Sequence, residues 1–196
     1  MAKGETTRTR ILDEAVRLAS RDGLQGLSIG GLAAALSLSK SGLFAHFGSK
    51  EALQVAVLEH AGARFRRLVL APLSDIPAGR ERLRTLLQGS LDWMDDPEFK
   101  GGCPIFAACF ELDDREGAAR DALVARQHGM KKFLVGLFGE VAGPGADLEQ
   151  AAFEFRAITL AYHFATRVLR DPSARTRTWK AFEALLERVT GEPSAP

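Results

Sequence analysis

Apolar residues recur at intervals of three and four along nearly the whole chain, and no stretch alternates β-branched with polar residues, so the pattern predicts an all-α protein. In the first predicted helix Ile11, Leu12, Ala15, Val16, Leu18 and Ala19 form one stripe, with Thr6, Thr7 or Thr9 available as N-cap and Gly23 placed to end it in a left-handed turn. Ser28 is a good cap for a short second helix through Leu32, Ala33 and Leu36. Ser37-Leu38-Ser39 interrupts that helix, and Ser39 caps a third, Lys40 to Phe47. Two short helices joined by so brief a turn have helix-turn-helix geometry.

Gly48-Ser49 breaks the pattern again, and Ser49 opens a longer helix from Lys50 to about Val69. Residues 71–79, rich in proline, serine and glycine, read as a loop. Further helices are expected over Arg80 to Met94, Ile105 to Leu112, Ala118 to Val141, Leu148 to Arg170 and Ala174 to Val189, before a frayed tail at 193–196. The last two differ from the rest. Ala151, Phe155, Ile158, Tyr162, Ala165 and Leu169 form one stripe that Ala152, Ala161 and Phe164 widen, and Trp179, Phe182, Leu185, Leu186 and Val189 give the final helix its own. Helices apolar on more than one side are buried on more than one side.

Composition adds limits. The chain has 196 residues, 46% hydrophobic and 26% charged, with a net charge of +1, which excludes a histone-like polycation and wholesale disorder. That near-neutrality is a sum over unlike parts: residues 1–50 hold seven Lys and Arg against four acids, a net +3, which leaves −2 for the remainder. The positive excess therefore travels with the helix-turn-helix, where phosphate neutralisation needs it. The longest uncharged run, Gly23 to Ser39, holds four glycines and three serines and is too polar to span a bilayer. With no signal-peptide pattern in the first residues and only Cys103 and Cys109, a reducing cytoplasm fits, and neither a thiolate zinc site nor a disulfide framework is expected.

The residues of the N-terminal block resemble a family. Arg10-Ile11-Leu12, Ala15, Gly23, Leu27-Ser28-Ile29, Leu32-Ala33 and the run Leu38-Ser39-Lys40-Ser41-Gly42-Leu43-Phe44-Ala45-His46-Phe47-Gly48-Ser49-Lys50-Glu51-Ala52-Leu53 look like the DNA-binding signature of the TetR family of transcriptional regulators. The residue types suit the task. Lys40-Ser41-Gly42 gives a bare helix start with one long donor, Leu43 and Phe47 anchor the opposite face at i and i+4, and Ala45 faces outward with the first three. The resemblance implies Lys40, Ser41, Gly42 and Ala45 as base readers and Phe44, His46 and Lys50 beside the phosphates, with the capping residues Ser28 and Ser39 also in the DNA-binding set. Three positions depart from the family pattern. Phe44 replaces a tyrosine and loses its hydroxyl, Ser37 replaces a turn glycine, and Gly30 stands where a longer polar side chain could enter the groove.

The resemblance further implies a DNA-binding domain over 1–50 and a helical effector-binding and dimerisation domain over 51–192, paired as a homodimer through the last two helices. The expected function is a repressor released from a palindromic, double-stranded DNA operator by a small apolar or aromatic effector. Trp93, Phe106, Phe110, Phe133, Tyr162 and His163 are the candidate effector residues, since Trp, Tyr and His carry polar tips that can orient a ligand; for each, ordinary core packing is the competing reading. The run Glu111-Leu112-Asp113-Asp114-Arg115-Glu116 reads as a solvated loop capping the next helix rather than a cation site. No metal, cofactor or catalytic residue is expected, because no P-loop, dinucleotide fingerprint, HExxH or GxSxG is present. The rival reading is a helical ligand-binding or scaffold protein that has lost specific DNA binding, for which Phe44 and Gly30 speak.

Overall fold

The computed structural model describes the backbone of residues 2–191 and the side chains of residues 7–191, so the tail expected at 193–196 lies outside the described residues. Among them are nine α-helices and no strand: α1 (Ala2–Asp22), α2 (Ile29–Ala35), α3 (Lys40–Phe47), α4 (Lys50–Phe65), α5 (Arg80–Met94), α6 (Pro104–Glu111), α7 (Ala118–Gly139), α8 (Leu148–Phe164) and α9 (Ala174–Thr190). No described helix is long and apolar enough to cross a membrane.

The short helices start where serine supplies a cap. Ser28 Oγ accepts the Gly31 N–H, Ser39 Oγ the Gly42 N–H and Ser49 Oγ the Ala52 N–H, each at 3.0 Å. α1 differs from expectation. It begins at Ala2, so Thr6, Thr7 and Thr9 lie inside it instead of capping it. The residues ahead of them include no proline, and only Gly4 opposes helix there.

The fourth helix ends at Phe65; a π-helical turn, Arg66–Leu70, occupies the end of the span expected as helix, and a 3₁₀ turn, Ala71–Asp75, the start of the span expected as loop. Pro72, which has no N–H, stops regular helix there. α8 likewise gives way to a π-helical turn, Ala165–Leu169, which closes on Arg170 at φ 51°.

The chain packs as two compact units, one from residues up to 65 with 96–125, the other from 66–95 with 126 onward. In the first, α1 lies against α4 and α6 through Ile11, Leu12, Ala15, Val16 and Ala19, all buried. His60 Nε2 meets Asp13 Oδ1 at 2.7 Å across the α1–α4 contact. In the second, α8 packs along α9 and against α5. Its centre is a chain of edge-to-face rings, Phe138 to Phe155 to Phe182 to Trp179, at centroid separations of 6.2, 6.0 and 5.9 Å.

Ser37 sits at φ 54°, in the left-handed region. Its N–H and that of Leu38 close α2 onto Ala34 O at 3.2 Å and Ala33 O at 2.9 Å. An L-residue there costs roughly 1–2 kcal/mol, while glycine costs about 0.5–1 kcal/mol in chain entropy. Ser37→Gly is therefore expected to stabilise the protein by about 0.5–1 kcal/mol, read as a rise of about 2 °C in Tm by thermal unfolding.

Candidate nucleic-acid interface

α3 is built to present one end and bury one side. Leu43 and Phe47 are buried, four residues apart, and hold the helix to the first unit as the sequence predicted. Lys40, Ser41, Gly42, Phe44, Ala45 and His46 are all exposed. The Arg8 guanidinium lies over the Phe47 ring, 5.3 Å from its centroid, in a cation–π contact. Ser39 Oγ and Ser41 Oγ are 3.3 Å apart, so the cap and the first turn share one polar ridge with Lys40.

α2 and α3 enclose an open groove of about 500 Å³ lined by Ile29, Gly30, Lys40, Ser41, Phe44 and Ala45. Its surface is mainly apolar. A Cβ on Gly30 would stand 3.2 Å from Lys40 Cε, so the lysine stem lies close over a residue with no side chain. Phe44, one of the lining residues, is 54% exposed.

Ser28 and Ser39 are exposed, and both hydroxyls are engaged in capping. Lys50 is exposed as well, and its Nζ donates to the Gln25 carbonyl at 2.6 Å, a contact the sequence did not disclose. An ammonium has three donors, so this bond leaves capacity for a phosphate.

That lysine belongs to a larger arrangement around the α1–α2 turn. Gly23 has φ +80°, and the next residues have their backbone polar groups taken up by side chains of α4 and α6. Glu111 accepts from the Leu24 N–H at 3.0 Å and the Gln25 N–H at 2.7 Å. Gln54 Nε2, buried, donates to the Leu24 carbonyl at 3.0 Å. The acidic run around Glu111 reads from the sequence as a solvated loop. Glu111 is instead the last residue of α6 and the anchor of this turn, while Glu51 takes the Ala118 N–H at 2.7 Å at the start of α7. The cap expected from the acidic run therefore comes from α4.

The six candidate effector residues divide between the units. Phe106 and Phe110 are on α6 in the first; Trp93, Phe133, Tyr162 and His163 are in the second. Trp93, Phe106 and Tyr162 are buried, Phe133 and His163 half-buried, and Phe110 is 63% exposed. The Tyr162 hydroxyl donates to Asp95 Oδ2 at 2.5 Å, and Arg175 Nη2 bridges Asp92 and Asp95 at 2.8 and 3.0 Å. Burial first, then the Asp95 carboxylate, pushes the phenol up to about 12, so it stays protonated as a donor near neutrality. Its polar tip is committed to Asp95. Cys103 is buried ahead of α6 and Cys109 half-buried within it, with no disulfide between them. Among the described residues no group of three or more His, Cys, Asp or Glu is placed to hold a metal ion.

Residues 11–57 match the family model for bacterial regulatory proteins of the tetR family, and residues 79–182 match that for the tetracyclin repressor-like C-terminal domain, the latter alone covering more than half of the chain. No curated protein sequence matches. Among solved structures, a TetR-family transcriptional regulator from Streptomyces coelicolor is 23% identical over 93% of this chain and 95% of its own, with a TM-score of 0.82. A TetR transcriptional regulator from Chloroflexus aurantiacus is 25% identical over 98% of both chains, at 0.83. AibR, solved in complex with isovaleryl coenzyme A and operator DNA, is 24% identical over 94% of this chain and 99% of its own, at 0.69.

Proposed function

The chain belongs to the TetR family as a DNA-binding transcriptional regulator, and on that premise we propose that it is a cytoplasmic, homodimeric repressor, without enzymatic activity, released from a palindromic operator by a small apolar or aromatic effector. One observation carries the DNA-binding half of this reading: the start of α3 is capped by Ser39 and stands exposed with Lys40 and Ser41, while Leu43 and Phe47 bury the opposite side. A helix so mounted can put its first turn against base edges.

Pairing through the last two helices is supported by α8. Phe153, Leu160 and Phe164, with Val168 in the turn beyond, recur at seven and four residues along one side and are exposed, an apolar strip of the kind that covers itself by two-fold pairing. Two recognition helices about 34–36 Å apart then meet successive major-groove turns. An effector bound in the segment 51–192 favours release by binding more tightly to the conformation in which that spacing is lost. AibR, solved with isovaleryl coenzyme A and operator DNA, is a structural neighbour that takes both a small molecule and DNA, which supports the two-ligand part of this reading.

Selection of duplexes from a randomised library by the purified protein tests this reading, and an inverted repeat is expected. On the selected duplex, Lys50→Ala is expected to weaken binding to all sequences alike and to reduce the slope of log K against log salt by about 1 per subunit. Lys40→Ala is expected to shift base preference at one position of each half-site. An unchanged slope for Lys50→Ala removes its phosphate role and leaves it as the residue that holds the Gln25 carbonyl.

A further inference from the structure

The groove between α2 and α3 is unusual for a surface that meets a polyanion. Its lining is mainly apolar, with half-buried Ile29 and Gly30 and exposed Phe44 and Ala45 beside the donors Lys40 and Ser41. We propose that this groove seats the C5-methyl group of a thymine in each half-site and so fixes one base of the operator. The proposal rests on the DNA-binding reading above and gives that interface a specific chemistry.

Three observations lead there. Base edges in the major groove offer hydrogen-bonding groups at every base pair, and the thymine methyl is the one apolar group among them; alanine and phenylalanine are suited to touch it. Phe44 lines the groove, is 54% exposed overall and, lacking a hydroxyl, cannot donate to a phosphate. An exposed ring that cannot hydrogen-bond is suited to being covered by an apolar group. Gly30, finally, puts no side chain into the groove: a Cβ there would stand 3.2 Å from Lys40 Cε, so a larger residue takes up groove space and the lysine stem must give by a few tenths of an ångström. The absence of a polar side chain at position 30 is then a selective feature. The apolar part of the lining, Ile29, Phe44 and Ala45, accepts a methyl.

Burying a methyl-sized group is worth about fourfold in affinity, and a two-fold symmetric complex uses it twice, about fifteenfold in all. The test uses the full-length protein and a duplex it has selected from random DNA, with thymine replaced by uracil at one symmetric pair of positions at a time and binding read by fluorescence anisotropy. One pair is expected to lose about ten- to fifteenfold while the others change by less than twofold. In Gly30→Ser and in Phe44→Ala the thymine-over-uracil preference at that pair is expected to fall to less than threefold; Phe44 is exposed, so its truncation leaves the domain folded. The proposal is overturned if no uracil pair costs more than twofold, in which case sequence-specific binding itself still stands. It is equally overturned if both variants keep the full thymine preference, since the methyl is then read elsewhere. Failure of the protein to select any sequence overturns the DNA-binding reading, and this inference with it.

Discussion

Replacing Phe164 by glutamate is expected to give a folded monomer that binds its operator at least about a hundredfold more weakly. Phe164 lies on the exposed strip of α8 between Leu160 and Val168, and Phe153 and Val168 at its ends show 67% and 65% of their surface. Within one chain the substitution replaces an exposed apolar ring by a solvated carboxylate, which leaves the Phe138–Phe155–Phe182 core untouched. In a two-fold interface the same carboxylate appears twice and must give up water without a counter-charge, a cost of several kcal/mol. A monomer engages only one half-site and forfeits the effective concentration that joins the two, a factor of about 10² to 10⁴. Light scattering coupled to size exclusion reads the mass, circular dichroism the fold and anisotropy the affinity. A variant that remains dimeric places the interface on another surface.

Glu111→Ala is expected to be the most destabilising single substitution of a side chain at the α1–α2 turn, by about 2–4 kcal/mol, or on the order of 10 °C in Tm. The carboxylate is the acceptor for two backbone N–H groups, Leu24 and Gln25, and alanine leaves both without one. Hydrogen bonds to a charged group are worth about 1.5–3 kcal/mol each, reduced here by partial exposure. Glu111→Gln keeps acceptor capacity without the charge and is expected to fall between wild type and alanine. Gly23 supplies an internal check, because a Cβ there would stand 2.7 Å from Glu111 Oε1. Gly23→Ala is expected to cost more in the wild type than in the Glu111→Ala background, where only its positive φ opposes it. Strict additivity of the two by thermal unfolding contradicts this arrangement.

These two side chains mark what could be read from the sequence and what could not. The three serine caps and the Leu43–Phe47 anchor were legible because each is a contact within four residues, where spacing alone fixes geometry. Glu111 was not, because its partners lie 86 and 87 residues away and its neighbours form an acidic run that reads as solvated. Lys50 is an intermediate case: its place in the motif was visible, its bond to Gln25 was not. The π-helical turns at Arg66–Leu70 and Ala165–Leu169 keep apolar spacing close to that of an α-helix, so periodicity ran straight through them. The polar tip that makes Tyr162 a candidate is held by Asp95, a partner at the end of α5 that no local pattern discloses.

The central claim, that the exposed start of α3 reads DNA, is tested most directly by fluorescence anisotropy of the full-length protein on its selected duplex and on a scrambled duplex of equal composition, across a series of salt concentrations. A preference for the selected duplex of at least about a thousandfold is expected, with a linear fall of log K with log salt on both. Equal affinity for the two duplexes, or binding indifferent to salt, would contradict the claim.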